Sequence, residues 1–240
     1  MFHPLGPTLW ELAVQALSST ERGYDLLAPK FDYTPFRTDR RLLEPLGRLL
    51  EASGPVEEAL DVCCGTGAGL EMLRPLCRGR LVGLDFSRGM LEVARQRLPA
   101  TPGVPEVELV RGDARSMPFR AEFDLATCLG AFGHILPEDE TLLVDSVARA
   151  LKPGGRFAFL TADPPPAGSL VGLLARLFNL VMRLRNCLVW PPFVMYYLTF
   201  LLPRARRLLE ERGFQVEVHR GLFPRPFSRV CVVVATLSRP

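Results

Sequence analysis

Lysine is almost missing from this chain: Lys30 and Lys152 are the only two among 29 basic residues, so 27 are arginine. A surplus of that kind reads as codon bias rather than as a selected nucleic-acid surface, and no nucleic-acid partner is expected. The six cysteines (Cys63, Cys64, Cys77, Cys128, Cys187 and Cys231) form no Cys-x-x-Cys pair and have no histidine cluster beside them. That indicates neither a zinc site nor a disulfide framework, and it fits a reducing cytoplasm. Heptads, tandem repeats and low-complexity tracts are absent too, which removes coiled coil, collagen and bulk disorder. The opening Met-Phe-His-Pro lacks the basic region and apolar stretch of a signal peptide. What is present is 240 residues at 48% hydrophobic, 23% charged and a mean hydropathy of +0.15, enough apolar material for one core. Charge is uneven: the net is −5 up to Asp163 and +8 from Pro164 onward.

Thr8 and Glu11 have capping-box spacing ahead of Leu9, Leu12, Ala13, Ala16 and Leu17, which predicts a short amphipathic helix. GYDLLAPKFDYTPFRTDR has little periodicity and reads as an irregular flap before a helix over Arg40–Ala52. From Ala59 the runs ALDVCC, RLVGLDF, VELVRGD, FDLATCL and RFAFLTA read as strands. Helical stretches follow the first and second, to about Cys77 and over Ser87–Leu98, and EDETLLVDSVARAL, stopped by LKPGG, lies before the fifth. Such alternation predicts a parallel sheet covered on both faces. ARRLLEERGF predicts a further helix, and QVEVHRGLF and RVCVVVATL, joined through Pro224–Ser228, form a hairpin that makes one strand antiparallel to its neighbour.

LDVCCGTGAG ends the first strand and opens a helix, where free amides favour an anionic group and glycines admit a ligand to the backbone. Twenty residues after Gly65, Asp85 ends the second strand in GLDFS, where a carboxylate can accept both hydroxyls of a ribose. The pair indicates a nucleoside-containing ligand. A dinucleotide fingerprint begun at Gly65 would need glycine where Leu70 stands, which disfavours pyrophosphate binding and a nicotinamide-dependent oxidoreductase.

Five motifs in order, LDVCCGTG, GLDFS, GDARSMPF, FDLATCLGAFGHI and LKPGGRF, make this sequence resemble the class I S-adenosylmethionine-dependent methyltransferases, in the branch of ubiquinone/menaquinone biosynthesis. The resemblance implies an α/β, Rossmann-like, doubly wound and mostly parallel seven-stranded sheet with one antiparallel strand in a C-terminal hairpin. It implies methyl transfer from S-adenosylmethionine to a small molecule, with S-adenosylhomocysteine as product. It assigns Asp85 to the ribose, Asp113 and Ala114 to adenine with Phe86 and Met90 as its platform, and the loop Cys63, Gly65, Thr66 and Gly67 to the methionine carboxylate. Asp61 and the carbonyls after Cys128, at Leu129, face the ammonium; Tyr33, Thr34 and Arg37 resemble the segment that closes over the methionyl end. Cys63 departs from the pattern, since the family most often has glycine there. His134, after the fourth strand, is the candidate catalytic base, with a backbone-bonding role as the alternative. A non-catalytic binding protein of the same fold is the other rival reading.

The divisions expected are a flap (1–53), a cofactor-binding core (54–163), an apolar insertion (164–202) and a completing helix and hairpin (203–240). Within Ser169–Asn186, residues Ser169, Gly172, Arg176, Asn179, Arg183 and Asn186 make one narrow polar stripe in an otherwise apolar helix. Pro191 and Pro192 break the uncharged run that follows, against a regular membrane span. Three uses are open for 169–202: a lid over a bulky apolar acceptor, a peripheral membrane contact with Arg176, Arg183 and Arg185 nearest the headgroups, or a packing or dimer element.

Overall fold

The computed structural model describes residues 3 to 238. Seven strands, β1 (Val56–Val62), β2 (Cys77–Asp85), β3 (Val107–Arg111), β4 (Phe123–Cys128), β5 (Leu151–Ala162), β6 (Phe214–His219) and β7 (Val230–Leu237), form one sheet in the order β3-β2-β1-β4-β5-β7-β6. The central pairs are parallel, and β7 runs antiparallel to both β5 and β6, as the short final connection requires. Strand order reverses beside β1, so the carboxyl ends of β1, β2 and β4 open on one crevice, the place where α/β sheets bind ligands. Phe123, Leu125, Phe157 and Phe159 are fully buried within the sheet. The strand β5 starts at Leu151 and takes in LKPGG, with a register shift against β4 absorbing the irregular start.

Flanking helices are α3 (Arg40–Ala52), α4 (Ala68–Leu73), α5 (Arg88–Arg97), α6 (Glu140–Ala150) and α8 (Leu202–Glu210). Ahead of them, α1 (Leu9–Ala16) is closed by the complete Thr8–Glu11 capping box, and Glu11 also pairs with Lys30. The flap is more regular than its sequence suggests: α2 (Thr20–Leu27) and a 3-10 turn (Ala28–Tyr33) occupy it. Tertiary contact stabilises α2, because its Asp25 accepts from the Ser87 hydroxyl at 2.6 Å and from the Gly89 amide at 2.8 Å at the start of α5.

Between β5 and α8 lies α7 (Leu170–Leu188), followed by a loop that returns over the sheet edge. The polar stripe divides between two sides. Gly172 is buried, and Asn179 and Asn186 turn toward the protein, where Asn179 brackets the backbone of Tyr197 and Asn186 that of Phe193. Arg176 and Arg183 are exposed. Arg185 is not at the surface expected for a headgroup contact: its guanidinium donates to the carbonyls of Ala16, Ser18, Val189 and Pro191, tying α1 to α7.

Candidate functional site

A cavity of about 1070 Å³ opens at the carboxyl edge of the sheet. This is at the upper end of the roughly 300–1,000 Å³ of small-molecule sites, room for two ligands side by side. One end is built by the loop after β1, the other by the exit of β4 and residues 192–199, with the flap across the top.

The loop owes its shape to a few contacts. Asp61, at the end of β1, is buried and accepts from the Thr127 hydroxyl at 2.7 Å. A Cβ on Gly69 would stand 2.3 Å from its Oδ2, so only glycine lets α4 settle against that carboxylate. Gly67 has φ +88°, a left-handed conformation, with Leu98 and Ala94 packed closely behind it. Cys63 adopts φ 57° without being glycine, a strain of about 1–2 kcal/mol carried at the cavity wall. Asp85 is buried, accepting from the Gly65 amide on one oxygen and the Ser87 amide on the other, each at 2.9 Å.

Burial pushes the Asp61 carboxyl up to about 7, with the nearby Asp85 charge adding to it and the Thr127 hydroxyl opposing. Burial likewise raises Asp85 to about 6 against the two amides that bond it. A carboxyl whose folded pKa lies above its unfolded value costs stability when ionised, and that cost fades as pH falls through the folded pKa. The ligand-free protein is therefore expected to melt at higher temperature as pH drops from about 8 to about 6.5, below which the buried neutral His134 works against the trend. Cofactor affinity should move the opposite way below about 6, because a protonated Asp85 cannot accept from two hydroxyls. Asp85→Asn should weaken that affinity about tenfold and flatten its pH dependence, and calorimetric titration across the range checks both. A pH-independent affinity in the unsubstituted protein would remove Asp85 from the site.

At the other end, His134 Nδ1 lies 2.7 Å from the Val194 carbonyl and Nε2 lies 2.6 Å from the Tyr24 hydroxyl. A carbonyl can only accept, so Nδ1 carries the proton and Nε2 takes that of Tyr24. Burial lowers the His134 pKa and raises that of Tyr24, which keeps both groups neutral.

Arg37, Asp61, Cys63, Gly65, Thr66, Asp85, Phe86, Met90, Asp113, Ala114, Leu129 and His134 all line the cavity. Tyr33, Thr34, Gly67 and Cys128 do not. Tyr33 stacks on His3, Thr34 bonds its own turn at Phe31, Gly67 backs onto Leu98, and Cys128 is wholly buried in the core beneath Cys63. Asp113 borders the cavity but is bound by the Arg115 guanidinium, which also reaches Asp139 and holds the Asp113 carboxyl below its ordinary range. Tyr24, Asp32 and Arg97 lie outside every motif in the sequence and join the site only through the fold. The last two join Thr66 in an ionic rim around the loop, at 2.7 Å from Thr66 to Asp32 and 2.9 Å from Arg97 to Asp32.

Residues 59–155 match the family described as a methyltransferase domain. A demethylmenaquinone methyltransferase from Symbiobacterium thermophilum is 39% identical over 114 residues, 46% of this chain and 45% of that protein, so the match spans less than half of that relative. One of the same name from Staphylococcus aureus is 34% identical over 167 residues, 65% of this chain and 67% of that protein. The chain belongs to the S-adenosylmethionine-dependent methyltransferases. The fold agrees: the N-methyltransferase NodS of Bradyrhizobium japonicum, solved with S-adenosylhomocysteine, superposes with a TM-score of 0.62 at 17% identity, covering 92% of this chain and 99% of that one.

The methyltransferase's donor set fits its cofactor. An S-adenosylmethionine carries a ribose, an ammonium and a carboxylate, and the cavity offers acids at Asp85 and Asp61 for the first two. For the third it offers Arg37, whose buried Nε has no hydrogen-bond partner and stands 3.6 Å from Asp32. The Gly65 and Gly67 amides are already engaged by Asp85 and by the Cys64 carbonyl.

Proposed function

We propose that this methyltransferase acts on a small molecule that is bulky and mainly apolar, with His134 as the proton acceptor. The observation that carries this reading is the wall facing the cofactor loop, where Phe132, Ile135, Val194, Met195 and Leu198 line the cavity beside the hydrogen-bonded pair His134 and Tyr24. The bound cofactor supplies an electrophilic methyl on a sulfonium. The chain's own work is to hold the acceptor in line, keep water out and take one proton. Tyr24 and His134 both line the cavity and are hydrogen-bonded to each other, so a hydroxyl on the acceptor that reaches the Tyr24 oxygen can pass its proton there as the phenol proton moves to His134 Nε2.

In this reading Asp85 takes the ribose, Phe86, Met90, Asp113 and Ala114 surround adenine, Asp61 and the Leu129 carbonyl receive the ammonium, and Arg37 meets the carboxylate. The relatives named for demethylmenaquinone support an acceptor of this class. A bulky apolar acceptor partitions into lipid, and contact of 169–202 with a lipid surface is compatible with this reading without being required by it. Titrating S-adenosylmethionine and a nicotinamide cofactor in parallel, then measuring turnover on detergent-dispersed apolar acceptors and small polar ones, tests it. Binding of the first cofactor alone with turnover on apolar acceptors is expected. Preferential turnover on a small polar acceptor would overturn the substrate class.

A further inference from the structure

Uncovered apolar surfaces lie on α7 and α1. On α7, Leu170, Leu173, Leu177, Leu180 and Leu184 are 52–68% exposed, while the Asn179 and Asn186 amides face the protein. The usual polarity of a surface helix is thus reversed. On α1, Leu9, Trp10, Ala13, Ala16 and Leu17 share the outward face. The sequence has two tryptophans, Trp10 and Trp190, and they are 76% and 86% exposed. Arg185 joins the ends of the two helices through the Ala16 and Ser18 carbonyls.

We infer that the outward faces of α1 and α7 form one platform that docks reversibly on an anionic lipid surface, beside the entrance used by the apolar acceptor. Charge selects this occupant. From Pro164 to Leu209 there is no carboxylate, while Arg176 and Arg183 stand exposed along one edge of the apolar face. A second copy placed on the face by a two-fold axis would present the same segment to these arginines, and that segment holds no acid to pair them. Anionic headgroups pair them directly, and leucine with tryptophan inserts shallowly into the acyl boundary. Among the described residues no helix is long and apolar enough to cross a membrane, so the contact lies in the plane of the surface.

The platform is coupled to the cavity. Asn179 and Asn186 hold the backbone of Tyr197 and Phe193, and the same loop supplies Val194 to His134. An acceptor leaving the lipid at α7 therefore meets the loop that forms the reaction wall. This last part rests on the apolar-acceptor reading, whereas the docking itself does not.

Vesicles of phosphatidylcholine, and of phosphatidylcholine with phosphatidylglycerol in equal parts, are the probes, used without cofactor or acceptor. The protein should float with the anionic vesicles, its tryptophan emission should shift to shorter wavelength, and both effects should weaken with salt. Arg176→Gln and Arg183→Gln should each weaken binding about fivefold, and Leu177→Ser with Leu180→Ser should remove most of it. All four positions are exposed, so folding is preserved and turnover on detergent-dispersed acceptor should be unchanged. Absence of flotation and of any emission shift would overturn the inference, as would equal binding to both vesicle types. A dimer that the two serine substitutions dissociate, without vesicle binding, would assign the face to a second copy instead. Vesicle binding without turnover on any apolar acceptor would defeat the substrate reading and leave the docking surface standing.

Discussion

Replacing His134 by Asn should lower turnover on a hydroxyl-bearing acceptor by about 10²–10⁴ while leaving S-adenosylmethionine affinity almost unchanged. Asn keeps a hydrogen-bonding group near the Val194 carbonyl and the Tyr24 hydroxyl, but it cannot hold a proton. Because burial depresses the His134 pKa, the base is unprotonated below the usual histidine range, and the rate should rise with pH on the acidic side of about 6.5. That rise should vanish in the variant. Tyr24→Phe removes the intermediate hydroxyl yet leaves Nε2 open to the cavity, so its loss should be smaller than that of His134→Asn. Single-turnover rates across pH for the three proteins check the assignment. An unchanged rate in His134→Asn would make the imidazole a structural link between flap and loop.

The second large effect concerns folding of the acceptor wall. Glu140, at the start of α6, is 1% exposed; one oxygen accepts from the Phe200 amide at 2.9 Å, and the other pairs with Arg204. Phe200 is buried, stacks on Phe132 at 4.5 Å, and has a left-handed φ of 47°, so the loop is held in a conformation it would not choose alone. Glu140→Ala leaves a buried amide unsatisfied and cuts the ion pair. The expected loss is about 3 kcal/mol, toward the lower limit for a broken buried pair because Arg204 is 40% exposed and can be hydrated. Urea unfolding measures it. A change below about 0.5 kcal/mol would show that the Phe132–Phe159–Phe200 cluster holds the loop without Glu140.

The cofactor half of the molecule was legible from residue order because its signals are local. A strand end, a glycine turn and the next helix are contiguous in LDVCCGTGAG, and Asp85 follows within one β-α-β unit. The final hairpin was equally legible, since a short link leaves no room for a parallel crossover. The helix α2 carries a local start signal at its N-cap Ser19, but its eight residues are also held by Asp25 bonding the start of α5, some sixty residues away, which no local pattern shows. The acceptor half depended on tertiary structure for the same reason. Tyr24 and His134 are 110 residues apart, and His134 and Val194 are 60, separations across which no spacing rule operates. On α7 the sequence by itself determined the existence of a polar stripe and an apolar surround. Which of them faces water was decided by the backbone of the 193–197 loop, whose buried amides and carbonyls needed Asn179 and Asn186 more than the leucines needed cover.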